Sequence, residues 1–223
     1  MKVYIPLLVG FASLNAQTTS LPKNSPISVL SSIKTIEAVD LNELTTFDPR
    51  WVDSLSLSLP CYEVPVPKRT MRLPNAPRNY RNGIHRGLDF FANWGTPVRS
   101  VAEGIVVRSD LHYEEVPADF RENLLKATTK VGHTPSDIFN SVLLGKSVFL
   151  DHGFDLIPGF RTISIYAHLS HIEKEIVPGA IVKRGELLGK SGNTGMREST
   201  IGSKAGSHLH WEMILQKGEQ EIY

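Results

Sequence analysis

The segment Gly206-Ser207-His208-Leu209-His210-Trp211-Glu212-Met213 alternates strictly. Leu209, Trp211 and Met213 are apolar; His208, His210 and Glu212 between them are polar. A period of two is the mark of a strand, because successive side chains leave opposite faces of an extended chain. The pattern predicts a half-buried strand with both imidazoles on one polar face, their Cα atoms roughly 6.6 Å apart, two strand rises. That separation is too wide for ring stacking. It suits one ring on a metal and the other on a molecule bound to that metal, so the strand points to a catalytic metal site.

Composition sets the frame for this strand. A chain of 223 residues, 41% hydrophobic and 21% charged, holds one core of ordinary size with room for an added lobe. A net charge of +1 with no basic run gives no support for nucleic-acid binding. The single cysteine, Cys61, excludes an internal disulfide framework and a cysteine-based zinc cage. At the N-terminus, Lys2 precedes an apolar run from Val3 to Ala12 and small residues up to Ala16. This is long enough for a signal-peptide core and too short to cross a bilayer. The expectation is an export signal over residues 1–16 and a periplasmic, cell-envelope or extracellular protein with no stable membrane insertion.

From residue 17 to about 60 the chain is rich in Ser, Thr, Leu and Pro. It reads as a linker or wrapping segment with a short helix over Ile33 to Leu44. Residues 61–223 form the expected domain. Short apolar runs between Gly and Pro predict strands at 97–101, 104–107, 147–150, 162–168, 180–182 and 187–189, besides the histidine strand. The fold class is therefore mainly β, an antiparallel sandwich or open barrel. A helical insertion over about 110–146 interrupts it. One helix covers Ala118 to Lys130, with Phe120, Leu124 and Ala127 at helical spacing, and a second runs from an N-cap at Ser136 to Leu144.

Two further segments carry chemistry. In His85-Arg86-Gly87-Leu88-Asp89-Phe90 a straight strand would hold His85 and Asp89 about 13 Å apart, but Gly87 and the preceding Asn82-Gly83 permit a bend that joins them. In Ile163 to Leu169 the odd positions are apolar, placing His168 and Tyr166 together on the other face. A catalytic zinc takes three His or carboxylate ligands and keeps a fourth position for water. His85, Asp89 and one of His208 and His210 make that set, and spacing alone does not say which one. The remaining histidine and His168 are left for acid/base work or oxyanion stabilisation. No His-Glu-x-x-His is present, so imidazoles rather than a glutamate must move the proton. His112 and His133 read as solvated, His152 as a turn residue, His171 as a turn or surface residue and Trp211 as core. The Ser191-Gly192-Asn193-Thr194-Gly195 turn reads as substrate-lining, with Asn193 as a backbone-binding donor, and Tyr166 is a second candidate lining residue.

From about Leu73 to Leu215 the chain resembles the lysostaphin/LytM family of zinc metallopeptidases, which cleave peptidoglycan peptides. The resemblance rests on Tyr80 to Phe90, Thr96-Pro97-Val98, Ala102-Glu103-Gly104-Ile105-Val106 and Tyr166-Ala167-His168-Leu169-Ser170. It continues through Val177-Pro178-Gly179, Val182 to Gly189, Ser191 to Gly195 and Ser207 to Glu212. It implies a LytM-type fold related to the duplicated hybrid motif. It also implies one Zn2+ per chain held by His85, Asp89 and His210, with His168 and His208 beside the metal-bound water. Peptidoglycan stem peptides or cross-bridges would be the partner, and nothing in the sequence sets an oligomeric state. The alternative is an inactive relative that activates a cell-wall amidase. Such regulators lose metal ligands, whereas all five positions are filled here.

Overall fold

The computed structural model describes residues 47–53 and 55–222. The expected export signal and the helix over Ile33 to Leu44 lie outside the described residues. Among the described residues there are twelve strands. They begin with β1 (Pro77–Arg78), β2 (Gly83–Ile84), β3 (Leu88–Phe90), β4 (Pro97–Arg99) and β5 (Gly104–Ser109). Beyond helices α1 (Ala118–Val131) and α2 (Ser136–Ile138) come β6 (Val148–Asp151), β7 (Arg161–Ala167), β8 (Leu169–Ile172), β9 (Ile181–Val182) and β10 (Leu187–Ser191). A short helix α3 (Arg197–Thr200) precedes β11 (Leu209–Lys217) and β12 (Gln220–Ile222).

Every pairing is antiparallel. The large sheet runs β12-β11-β7-β6-β5-β9, with β3 also paired to β11, and a small sheet runs β4-β10-β8. The fold is mainly β and open rather than a closed barrel. Apolar residues from both sheets make the main core, among them Val98, Val106, Val148, Leu150, Tyr166, Leu169, Leu188, Leu209 and Trp211. Burying each large side chain of this kind contributes roughly 1.5–3 kcal/mol, which is what holds two short-stranded sheets together.

The large sheet is covered on its other face too. A π-helical turn, Phe139–Leu143, continues α2 and packs with Leu144 against Ile165, Ala167 and Ile214. Burial on both faces corrects one expectation. Tyr166 does not share a polar face with His168; it is fully buried in the main core, where its hydroxyl accepts the Val101 N–H at 2.9 Å. The alternation of β7 ends at His168, whose φ of 60° is left-handed and swings the imidazole out of the strand pattern. Such a conformation costs a non-glycine residue of order 1–3 kcal/mol and persists where neighbours enforce it.

The insertion is helical as expected, with two differences. On α1 the exposed residues include Phe120 and Ala127, and the packed face runs through Leu125 and Thr128. The sheet it covers is met by Leu125, so packing rather than the aromatic residue sets the rotation. Pro135 rather than Ser136 is the N-cap of α2, and Ser136 is its first helical residue. His152 is also no mere turn residue. It is buried, with Nδ1 2.6 Å from the Glu103 carbonyl and Nε2 2.7 Å from the Ser164 hydroxyl. His112, His133 and His171 are exposed.

Candidate metal centre

Three chain segments meet at one end of the large sheet. β3 and β11 pair with Asp89 opposite His210, and β7 pairs on the other side of β11 with Ala167 opposite His210. This register places the residues preceding β3 and following β7 beside the histidine strand. Gly87 makes the approach possible, because a Cβ there would lie 2.3 Å from the Trp211 carbonyl oxygen. The bend between His85 and Asp89 therefore needs glycine for close approach to β11, and no left-handed turn is involved.

His85 Nε2, Asp89 Oδ1 and His210 Nδ1 converge. The distances are 2.9 Å from His85 to Asp89, 3.0 Å from His85 to His210 and 2.8 Å from His210 to Asp89. The opposite edges of the two rings fix where their protons lie. His85 Nδ1 is 2.8 Å from the Leu73 carbonyl, which only accepts, so that nitrogen carries the hydrogen. His210 Nε2 is 2.7 Å from a Glu212 carboxylate oxygen and donates to it in the same way. In their neutral forms both rings thus turn lone pairs toward the carboxylate oxygen. Three lone pairs this close repel unless a positive charge lies among them.

The electrostatics agree. Burial disfavours a cation at His210, but its bonds to Asp89 and Glu212 overcome burial and raise its pKa to about 9. Burial pushes Asp89 up, yet His208, His210 and His85 together hold it well below the usual carboxylate range. Glu212 is likewise lowered against the effect of burial, by His210 and by Arg86, with which it forms an ion pair at 3.3 Å. Two ionised carboxylates around two imidazoles favour an added positive charge, a proton or a metal ion. The His-Asp-His donor set, with each histidine oriented by a second partner, is suited to zinc chemistry.

The other two histidines stand beside this corner. Rings of His168 and His208 lie 4.8 Å apart centre to centre, and His168 is 5.6 Å from His210. Each is oriented by a backbone carbonyl, His168 Nδ1 by Thr194 at 2.8 Å and His208 Nδ1 by Gly206 at 2.8 Å. Nδ1 therefore carries the hydrogen in both; His208 Nε2 lies 3.5 Å from Asp89. Burial, with the charges of His208 and His210 next, pushes the His168 pKa well below the normal histidine value. His168 is a neutral imidazole. An open cleft of ≈ 450 Å³ includes all five residues in its lining.

Asn193 differs from expectation. It is fully buried and absent from the cleft lining; its side-chain amide donates to the carbonyls of Ser203 and Ala205, both at 2.8 Å. It pins the loop before β11 from a position outside the cleft lining. Its neighbour Thr194 supports the site instead, holding His168 through its carbonyl while its hydroxyl accepts from Lys146 N and donates to the Leu169 carbonyl. The sequence reading also passed over Glu212, Arg78 and Arg86. Arg78 donates to Asp89 at 3.2 Å. Glu212 stood on the same alternating face as the two histidines and was legible there, whereas the arginines act across folds of the chain that no local pattern reports.

Residues 127–222 match Peptidase family M23. That stretch holds His168, His208 and His210; His85 and Asp89 precede it and join it through the β3–β11 pairing. Over 142 residues the chain is 26% identical to the L-Ala–D-Glu endopeptidase of Bacillus subtilis strain 168, covering 62% of this chain and 32% of that protein. Over 131 residues it is 29% identical to an uncharacterized metalloprotease of Haemophilus influenzae, covering 59% and 18% respectively. The chain thus spans about a third or less of the curated relatives it matches. Among solved structures, the catalytic domain of the antimicrobial peptidase lysostaphin from Staphylococcus simulans is similar at 20% identity and a TM-score of 0.37, with 76% of this chain and 87% of that one covered. The C-terminal part of the chain, with His168, His208 and His210, is thus similar to peptidase family M23, and His85 and Asp89 complete the cluster beside it.

Proposed function

We propose that this protein is a zinc-dependent endopeptidase that hydrolyses peptide bonds in peptidoglycan stem peptides or cross-bridges. The observation that carries the reading is the convergence of three lone-pair donors, His85, Asp89 and His210, beside two further imidazoles in an open cleft. The relative from Bacillus subtilis, named for cleaving between L-Ala and D-Glu, supports a stem-peptide substrate. A complete donor set favours catalysis over the role of an inactive activator of an amidase. Export to the cell envelope follows from where such a substrate lies. Among the described residues no helix is long and apolar enough to cross a membrane.

In this reading His85, Asp89 and His210 hold one zinc ion per chain. When bound, zinc polarises the scissile carbonyl and lowers the pKa of a water toward about 7. His168 takes the proton of the attacking water, because its buried ring is neutral and its Nδ1–H is committed to Thr194, leaving Nε2 as the base. His208 Nε2 lies 3.5 Å from Asp89 and next to His168. From there a protonated ring donates to the developing oxyanion and then to the leaving amine. Arg78 and Glu212 hold the ligands in place and touch no substrate in this scheme.

Metal analysis of purified protein, followed by peptidoglycan digestion with His210→Ala as control, tests the proposal. Zinc in the wild type and new free amines that vanish in the variant are expected. A wild type that binds zinc and releases no amines from any wall preparation contradicts it.

A further inference from the structure

Charge in the cleft is lopsided, although the whole chain carries a net charge of only +1. Four arginines line it, Arg78, Arg81, Arg121 and Arg197, against two acids, Asp89 and Glu198. Asp89 is already bonded to Arg78 and to the imidazoles. Among the described residues Arg121 and Arg197 form no ion pair with any carboxylate, Glu198 included. Unpaired guanidinium groups in a concave site focus positive potential on whatever enters it.

The two arginines are placed differently. Arg121 projects from the first turn of α1, part-buried, and its Nε donates to the Gly195 carbonyl at 2.9 Å. Gly195 N in turn donates to Glu115 at 2.9 Å, and Glu115 also accepts from the Tyr113 hydroxyl, so that acid is committed to the loop. Fixing Nε leaves the two terminal amino groups of Arg121 as a fork, the geometry that receives a carboxylate through two parallel bonds. Arg197, at the exposed rim on α3, makes no side-chain hydrogen bond within the described residues. Leu125, Phe139 and Leu143 line the same cleft, apolar surface fit for an aliphatic stretch of peptide.

We infer that Arg121, assisted by Arg197, is a specificity-determining site for a free carboxylate on the peptide, and that the helical insertion supplies it. This rests on the peptidase reading and narrows it to acidic peptides, excluding neutral glycine bridges as the preferred substrate. The insertion then does more than wall the cleft: it delivers one fixed guanidinium beside the loop that orients His168.

The test uses Ala-γ-D-Glu-Lys-D-Ala-D-Ala and its α-carboxamide counterpart, which differ only in one carboxylate. Equilibrium binding is measured by calorimetry on the full-length His168→Ala protein, and kcat/KM on the wild type. The acidic peptide is expected to bind and react at least about ten-fold better, as one charge-assisted bidentate contact gives. Arg121→Gln should collapse that ratio toward one, chiefly through KM. Arg121→Lys should recover part of it, and Arg197→Gln should reduce it by less. A purely structural role for Arg121 lowers both peptides together and leaves the ratio intact, which overturns the inference. So does equal binding of the two peptides, or binding of neither. Absence of turnover on both with a preserved binding preference would instead contradict the peptidase reading and leave the carboxylate site standing.

Discussion

The two halves of the site are built on different kinds of partner. In the ligand corner the imidazoles meet carboxylates: His210 lies between Asp89 and Glu212, and these acids are backed by Arg78 and Arg86. Across the cleft, His168 and His208 are oriented by neutral backbone carbonyls of Thr194 and Gly206. A carboxylate fixes a ring and also favours positive charge on it, which is why His210 is raised to about 9 although it is buried. A carbonyl fixes a ring with far less effect on its charge, so burial and the neighbouring imidazoles win at His168 and keep it neutral. One half is prepared to hold a cation, and in the other His168 is prepared to accept a proton.

The largest of these effects is expected at His168. His168→Ala removes the base while leaving every ligand in place, so kcat should fall by about 10²–10⁴-fold with zinc content unchanged. Steady-state kinetics on a wall peptide, paired with metal analysis of the same sample, checks both parts. Loss of zinc together with activity would erase the distinction between the halves.

A smaller effect is expected where the charge behind His210 is removed. Glu212→Gln keeps an acceptor for the Nε2 hydrogen but takes away the negative charge, and zinc affinity should weaken about 10–100-fold. Competition with a chelator of known affinity reads this directly. An unchanged affinity would mean that the ring is held by shape alone and that the carboxylate contributes nothing.

The smallest effect lies away from the metal, at His152. Burial lowers its pKa against the opposing effects of the Glu103 carbonyl and the Asp151 charge. The unfolded chain, with an ordinary histidine pKa of about 6.5, then binds more protons than the folded one below that value. Its stabilising contribution is full above about pH 6.5 and is lost as pH falls toward the lowered folded value. Denaturant midpoints of metal-free protein at pH 7.5 and 5.5 should show a drop in the wild type that is smaller in His152→Asn. An equal drop in both would assign the acid sensitivity to other groups.

Much of this arrangement was legible in the sequence because it is local. The alternation from Leu209 to Met213 is read off neighbouring residues, and it correctly buried Leu209 and Trp211 while sending His208 and His210 to the cleft. The Tyr166 assignment failed because alternation predicts opposite faces but not how each is covered. The π-helical turn buries the second face of β7, and the left-handed backbone at His168 breaks the period where it would have been used. Asn193 failed for a related reason: a turn sequence announces a loop, and only the chain that folds over it decides whether its amide meets a ligand or the carbonyls of Ser203 and Ala205. The spacing of Phe120, Leu124 and Ala127 announces the helix but not its rotation, which packing sets through Leu125.

Division of the terminal histidine pair is the central claim, and parallel zinc analysis of wild type, His210→Ala and His208→Ala tests it most directly. The expected result is one zinc per chain in the wild type, loss of zinc in His210→Ala and full retention in His208→Ala, with turnover abolished in both variants. Loss of zinc from His208→Ala, or its retention in His210→Ala, would contradict the account.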